Sequence, residues 1–414
     1  MPTTSTFNPR PATTPTWRHA PQRVFLRRAL FQLHLWIGII LAAYAIVIGL
    51  TGSALIFKSE LLEHIQPELY TLHPVARQTT LDAAVHSIVA AHPGWQAFAL
   101  QNFEKPTQAT DLLLRRVTGP PTPNYRVVSF NPYTGQVLLD RLRYAGPLGF
   151  LSNLHVYLLS GETGLLVSGW MALGLLILAL SGLILWWPGV QRWVSALLLH
   201  RRASWRRTNF DLHTVLGFWT SAAFLLVILT GLDFAFPGPS GRLLELATLH
   251  GYRDTGVVLH PKVPTSTPLA SLTIDQTIAA AYRALPPNAP PGYLQLPSTP
   301  TSPIRVTGYY QHAAPFSQLV RIVLDPHTGA LLASSDTRTE DLASRVEQYS
   351  VALHFGLFGG PGLLGLIVKI LWVLLGILPA LLAVTGILMY WNRKLRPLWH
   401  RLRTAQPKRQ PIAR

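Results

Sequence analysis

The sequence predicts a membrane α-helical protein: a four-transmembrane-helix bundle with two external α+β domains, internally duplicated. Three observations carry this. Of 414 residues, 49% are hydrophobic and only 13% charged, about half the charge of an ordinary soluble chain. Four stretches are long and apolar enough to cross a bilayer, which takes about 20 such residues. The two long segments between them repeat one pattern of helix and strands.

Trp36–Phe57 and Leu165–Trp187 carry no charge, Val215–Phe236 carries only Asp233, and Gly362–Trp391 carries only Lys369. At 1.5 Å per residue the first stretch is about 33 Å long, enough for the hydrocarbon core. With their flanks the spanning segments are 27–57, 151–187, 213–236 and 351–391. The Pro/Thr/Arg-rich start lacks a small-residue cleavage site before an overlong apolar run, so the first span reads as a signal anchor rather than a cleaved leader.

Charge orients the spans. Residues 1–33 hold five Arg, 188–213 hold five Arg and Asp211, and 392–414 hold eight Lys or Arg. These segments carry the whole net charge of +17; elsewhere acids and bases balance. The positive-inside rule then predicts a cytoplasmic, disordered N-terminus (1–26), a basic cytoplasmic loop (188–212) and a basic cytoplasmic tail (392–414). The domains 58–150 and 237–350 fall outside. Because the basic residues flank helices, nucleic acid is not expected as a partner; the lipid bilayer is.

Each external domain opens on a helical pattern, Leu81-Asp-Ala-Ala-Val-His and Leu272-Thr-Ile-Asp-Gln-Thr. Strand-like runs follow at Leu112–Val117, Tyr125–Phe130, Ile304–Tyr309 and Leu319–Leu324. Asn131-Pro-Tyr-Thr-Gly and Asp325-Pro-His-Thr-Gly then predict hairpin turns, with Pro fixing φ and Gly supplying a positive φ.

The repeat continues into the spans. Arg27-Arg28-x-x-Phe31-x-Leu33-His34-x-x-x-Gly38 matches Arg206-Arg207-x-x-Phe210-x-Leu212-His213-x-x-x-Gly217, and Leu50-Thr51-Gly52 matches Leu229-Thr230-Gly231. Leu154-His155 and Leu353-His354 precede the second and fourth spans, which close with Ser181-Gly182 and Thr385-Gly386.

The chain contains no cysteine, which excludes disulfides, thiolate chemistry, Cys-ligated clusters and covalently attached haem. Four histidines stand at four membrane edges, His34 and His213 inside, His155 and His354 outside. Imidazole is a common axial ligand of haem iron, and bundle cores hold cofactors between facing helices. The pattern predicts two b-type haems with these four His as axial iron ligands. Gly38 and Gly217, one turn deeper on the same face, would leave room for a flat ligand; Arg27 and Arg206, seven residues earlier, would meet its propionates. Asp233 and Lys369 are expected to snorkel or pair with each other. Trp170 and Trp372 are expected to pack, and the other histidines to lie on surfaces or loops.

The Leu-His openings, the Ser181-Gly182…Trp186-Trp187-Pro188 ending and the two Asx-Pro-x-Thr-Gly turns resemble the PepSY-associated transmembrane proteins, also called iron-regulated inner-membrane proteins, over about residues 27–395. The resemblance implies that the external domains are PepSY-like and periplasmic, in a bacterial inner (cytoplasmic) membrane. It also implies a haem-dependent ferric-siderophore reductase passing single electrons outward to a ferric siderophore. No G-x-G-x-x-G follows a strand, so the donor is expected to be a separate cytoplasmic protein or a quinol. A non-enzymatic PepSY membrane regulator or interaction protein of the envelope is the alternative class. A transporter is disfavoured, because the spans lack broken segments and midplane polar residues.

Overall fold

The computed structural model describes residues 17–18, 21–118, 124–200, 204–249, 270–299, 302–311, 313 and 315–404. Most of the segment 1–26, the end of the basic tail and His250, His260 and His312 lie outside these. Among the described residues, four helical stretches are long and apolar enough to cross a membrane: Phe25–Leu55, Gly161–Trp186, Trp205–Ala235 and Leu363–Arg403.

The chain divides into two compact units. One comprises residues 1–46, 173–225 and 378–414 and is built from α1 (Phe25–Leu55), α5 (Gly161–Trp186), α6 (Trp205–Asp211), α7 (Gly217–Ala235), α11 (Leu363–Tyr390) and α12 (Arg396–Thr404), or the parts of them that fall within it. A π-helical turn, Leu212–Leu216, joins α6 to α7, and a second, Trp391–Leu395, joins α11 to α12. Helices meet here through small residues and rings. Leu41 of α1 fills the notch at Gly174 of α5. Trp186 of α5 stacks on Phe218 of α7 at 3.7 Å, and Trp36 of α1 meets Tyr390 of α11 edge-on. Small residues let membrane helices approach closely where lipid offers no hydrophobic drive.

The second unit, residues 47–172 and 226–377, adds the helices α2 (Lys58–Ile65), α3 (Leu81–Ala90), α4 (Gly146–Tyr157), α8 (Pro237–Thr248), α9 (Ile274–Ala284) and α10 (Leu342–His354), with eight strands. These are β1 (Trp95–Gln101), β2 (Thr110–Arg116), β3 (Arg126–Phe130), β4 (Val137–Leu142), β5 (Pro291–Gln295), β6 (Ile304–Tyr309), β7 (Leu319–Leu324) and β8 (Leu331–Asp336). They form a single antiparallel sheet in the order β4-β3-β2-β1-β5-β6-β7-β8. The two external segments thus contribute four strands each to one sheet, joined where Ala99, Leu100 and Gln101 pair with Gln295, Leu294 and Tyr293.

Both expected hairpin turns form. Asn131 Oδ1 accepts from the amides of Tyr133 and Thr134, Asp325 Oδ1 accepts from those of His327 and Thr328, and Gly135 and Gly329 take φ of 76° and 70°. One face of the sheet carries Leu100, Leu112, Val128, Leu294, Val306 and Ile322, sealed by α3 and α9. The two covering helices cap each other. Asp82 accepts from the amide of Ile274, and Asp275 accepts from the amides of Leu81 and Asp82. A carboxylate at a helix N-terminus satisfies free amides and complements the helix dipole.

Two expected spans differ from the sequence reading. Segment 151–187 is two helices, because α4 ends at Tyr157 and α5 starts at Gly161, with Leu158 and Leu159 left-handed at φ 45° and 61° between them. Segment 351–391 is likewise broken after α10, and α11 starts at Leu363. Glycines at positive φ (Gly356, Gly360, Gly362) fill that break, which a purely apolar reading runs through. His155 and His354 therefore belong to short helices that precede the spans.

Candidate functional site

The four histidines come together as two pairs, one in each unit. The rings of His34 and His213 lie 6.4 Å apart between centroids, with planes at 88°. Those of His155 and His354 lie 6.3 Å apart, at 60°. Two imidazole nitrogens bound to one metal ion lying between them at about 2.0 Å each, with about 1.1 Å more from nitrogen to ring centre, put the centroids at most about 6.2 Å apart.

Each ring is held the same way. The Nδ1–H of His34 donates to Ser181 Oγ (2.9 Å), that of His213 to Thr385 Oγ1 (3.0 Å), that of His155 to Thr51 Oγ1 (3.0 Å) and that of His354 to Thr230 Oγ1 (2.9 Å). The tautomer follows from the network. Every one of these hydroxyls gives its own proton to a carbonyl one turn earlier: Ser181 to Ile177 (2.6 Å), Thr385 to Leu381 (2.8 Å), Thr51 to Val47 (2.7 Å), Thr230 to Leu226 (3.1 Å). The oxygen is left as acceptor, so Nδ1 must carry the hydrogen and Nε2 the lone pair. At His213 the Leu382 carbonyl also receives Nδ1–H (3.1 Å), and a carbonyl can only accept. No hydrogen bond reaches Nε2 of any of the four rings among the described residues.

The residue after each hydroxyl is glycine, and the histidine packs against it, at three of the four closely enough that a side chain would crowd the ring. A Cβ would lie 2.8 Å from His155 Cε1 at Gly52, 3.3 Å from His34 Cε1 at Gly182, 3.3 Å from His213 Cε1 at Gly386 and 3.5 Å from His354 Cε1 at Gly231. Ser/Thr-Gly on one helix thus seats a histidine from another, four times. The sequence displays all four dipeptides at repeat positions, but only their contact with histidine gives them a role.

Gly38 and Gly217 have neighbours of a different kind. A Cβ there would meet only Leu178 Cδ2 (3.8 Å) and Leu382 Cδ2 (3.7 Å), ordinary contacts. Arg27 is engaged within the protein, donating from Nη2 to the Leu185 carbonyl at 2.6 Å, while Arg206 is exposed. The adjacent Arg207 pairs with buried Asp211 at 2.8 Å. Asn209 donates to the Thr385 carbonyl (3.0 Å), so the turn ahead of His213 is tied to the helix that seats its ring. The π-helical turn runs through His213 itself; such turns concentrate at functional sites, and periodicity does not reveal them.

Asp233 and Lys369 do not pair with each other. Lys369 pairs with Glu60, and Asp233 is buried beside Ser350 with one carboxylate oxygen unpartnered. Trp372 packs on Gly356 and Phe358 and donates to the Leu353 carbonyl (2.8 Å), steadying the end of α10 at His354. Trp170 packs edge-on against Phe236. Outside the pairs, His92 is bound to Asp140 at 2.9 Å, and that carboxylate, raised by burial, is lowered by more through His92 and Arg126.

Among the described residues no cluster of three or more His, Cys, Asp or Glu is placed to hold a metal ion. Each pair brings two imidazoles together, each with an Nε2 that no hydrogen bond reaches among the described residues. Two imidazoles are fewer than the three or four protein ligands that a zinc ion takes, and they fit a group that brings further donors of its own, as haem does.

A family model described as the PepSY-associated TM region matches residues 31–393. Among curated proteins no match is found.

Proposed function

The chain belongs to the PepSY-associated transmembrane family, and on that footing we propose that it is an inner-membrane electron conduit that reduces a ferric chelate, such as a ferric siderophore, on the periplasmic side. One observation carries the reading. All four histidines of two facing pairs are fixed with Nδ1–H on a Ser or Thr hydroxyl and Nε2 open. A buried histidine serving only packing has no reason to repeat that arrangement four times.

His34 with His213, and His155 with His354, would each hold one b-type haem. When bound, the two groups supply one-electron transfer. Ser181, Thr385, Thr51 and Thr230 keep each imidazole in the ligating tautomer and raise its basicity. The glycine after each lets the ring sit close to the helix. No residue is asked to act as acid, base or nucleophile. The substrate step is Fe(III) in the chelate gaining one electron to become Fe(II), which hard oxygen ligands hold weakly, so iron is released. The electron comes from a reduced cytoplasmic protein or a quinol. Basic residues at both ends and in the 188–212 loop support cytoplasmic termini and a periplasmic sheet. The matched order of elements in the two halves supports an internal duplication.

The test is purification from haem-replete cells, with an absorption spectrum and a haem count. The expectation is a Soret band and two haems per chain, falling to one in His34→Ala and in His155→Ala. The dithionite-reduced protein should reoxidise on mixing with a ferric siderophore while a ferrous trap colours. A colourless, folded protein refutes the proposal.

A further inference from the structure

The seam of the sheet carries a cleft that neither half contains alone. It holds about 280 Å³ and is walled by Tyr293 of β5, Tyr309 at the end of β6, Tyr310 and Phe316. Tyr309 and Phe316 meet edge-on at 5.8 Å. Across the seam, the loop after β1 lays Glu104 over Gly292. A Cβ at Gly292 would lie 2.9 Å from Tyr309 Cδ2 and 3.0 Å from Glu104 Oε1, so only glycine leaves this floor open.

Glu104 is the chemical centre of the cleft. Its Oε2 is buried and has no hydrogen-bond partner, and among the described residues no cation lies within ion-pair distance of it. Lys105, beside it in the chain, also lines the cleft, but its side chain is exposed. Burial raises the Glu104 carboxyl above its ordinary pKa, against a smaller lowering by its own backbone amide and by Lys105. Two non-glycine residues in the left-handed region, Asn102 (φ 62°) and Phe316 (φ 61°), flank the same cleft. Such strain persists where the surrounding structure needs a particular backbone path, and it clusters at ligand sites.

We infer that this cleft binds an organic ammonium group, with Glu104 as its counter-ion and the faces of Tyr293, Tyr309, Tyr310 and Phe316 around its alkyl stem. Aromatic faces attract cations through their quadrupoles, and a half-desolvated carboxylate with an empty acceptor oxygen gains most from a charged donor. The ammonium can be the side chain of a lysine in a peptide or protein, or the amine arm of a small molecule. The site does not depend on the histidine pairs.

The experiment uses the full chain in nanodiscs and saturation-transfer difference NMR. The probes are n-butylammonium, the peptide acetyl-Gly-Lys-Gly-amide, its Nε-acetylated form and butyrate. Both cationic probes should bind, and the acetylated peptide and butyrate should not. Glu104→Gln should weaken cation binding at least tenfold, and Lys105→Gln should tighten it two- to threefold by removing a competing charge. The second variant keeps the test decisive if the first does not fold. A lysine peptide binding far more tightly than butylammonium assigns the site to a polypeptide partner; similar affinities assign it to small amines. Equal binding of the neutral peptide, binding of butyrate, or affinity unchanged in both variants overturns the assignment.

Discussion

Substituting Gly52 by alanine tests the seating of the second histidine pair most directly. A Cβ at Gly52 falls 2.8 Å from His155 Cε1 and 3.5 Å from Nδ1. Carbon atoms in ordinary contact stand about 3.5–4.0 Å apart, so the ring must retreat by about 0.7 Å or more. A metal–nitrogen bond tolerates about 0.2 Å. Overpacking of this kind costs about 1–3 kcal/mol, and here the displaced group is the proposed haem ligand. At Gly231, the repeat partner, the same methyl meets His354 Cε1 at 3.5 Å and needs no movement.

Gly52→Ala should therefore lose one of two haems, whereas Gly231→Ala keeps both. Gly182→Ala and Gly386→Ala, each at 3.3 Å, should fall between, with shifted spectra and weakened retention. The assay is haem per chain by pyridine haemochromogen, beside a thermal unfolding midpoint to show that each variant is folded. If Gly52→Ala keeps two haems with an unchanged spectrum, or if Gly231→Ala loses as much, the seating argument fails.

Other consequences can be checked more briefly. Thr51→Val removes the acceptor for His155 Nδ1–H and should weaken haem retention about 10–100-fold at that pair alone, read by transfer to apomyoglobin. Lys369→Met breaks the pair with Glu60, whose side chain is half exposed; it should cost no more than about 1 kcal/mol in unfolding and leave the spectrum unchanged. Asp82→Ala and Asp275→Ala each remove the side-chain acceptor of the facing helix's first amides and should cost about 1 kcal/mol by chemical denaturation. Lys58 donates to Ser152 Oγ and is lowered to about 8 by burial, then by Arg143 and Arg141. Below that value both the folded and the unfolded amine are protonated, and the folded state bears the full penalty. Between there and about 10.4 the unfolded chain binds more protons. Stability should thus rise with pH across that window, by at most about 1.4 kcal/mol per pH unit for one proton, and Lys58→Met should abolish the rise.

Much of this was legible in residue patterns, because the patterns are local. The Asx-Pro-x-Thr-Gly turns encode their own φ values, and β2, β3, β6 and β7 lie where alternating and β-branched runs put them. The four histidines stand at repeat-equivalent positions, but which rings meet is seen only in the structure. Contacts between distant segments were not legible. Nothing in Trp95–Gln101 or Pro291–Gln295 announces that they pair, so residue patterns predict two separate domains where one sheet forms. Thr51-Gly52 and Ser181-Gly182 read as repeat markers or packing dipeptides, because their partner is a histidine more than a hundred residues away. The contact of Arg27 with the Leu185 carbonyl is of the same kind, because it depends on where another helix ends.

The two pairs differ in what carries them, and this bears on the proposed chemistry. His34 and the π-helical turn at His213 lie within the long apolar stretches. His155 and His354 lie at the ends of α4 and α10, which begin only a few residues after the edge strands β4 and β8. Arg321 of β7 donates to Gln348 of α10 at 2.7 Å, and Lys58 ties α2 to Ser152 of α4. A rearrangement of the sheet thus has a short covalent and hydrogen-bonded route to the second pair. For a reductase that is the useful pair to connect, because its ligands stand on the same unit as the surface that would meet a chelate. A Glu104 variant that alters ligand binding at the seam should therefore be inspected spectroscopically as well. A shift of the second haem's absorption on adding a cationic peptide to wild type, absent in Glu104→Gln, would show that the sheet and the pair respond as one body. An unchanged spectrum would make the cleft a tether for a partner rather than a control on ligation.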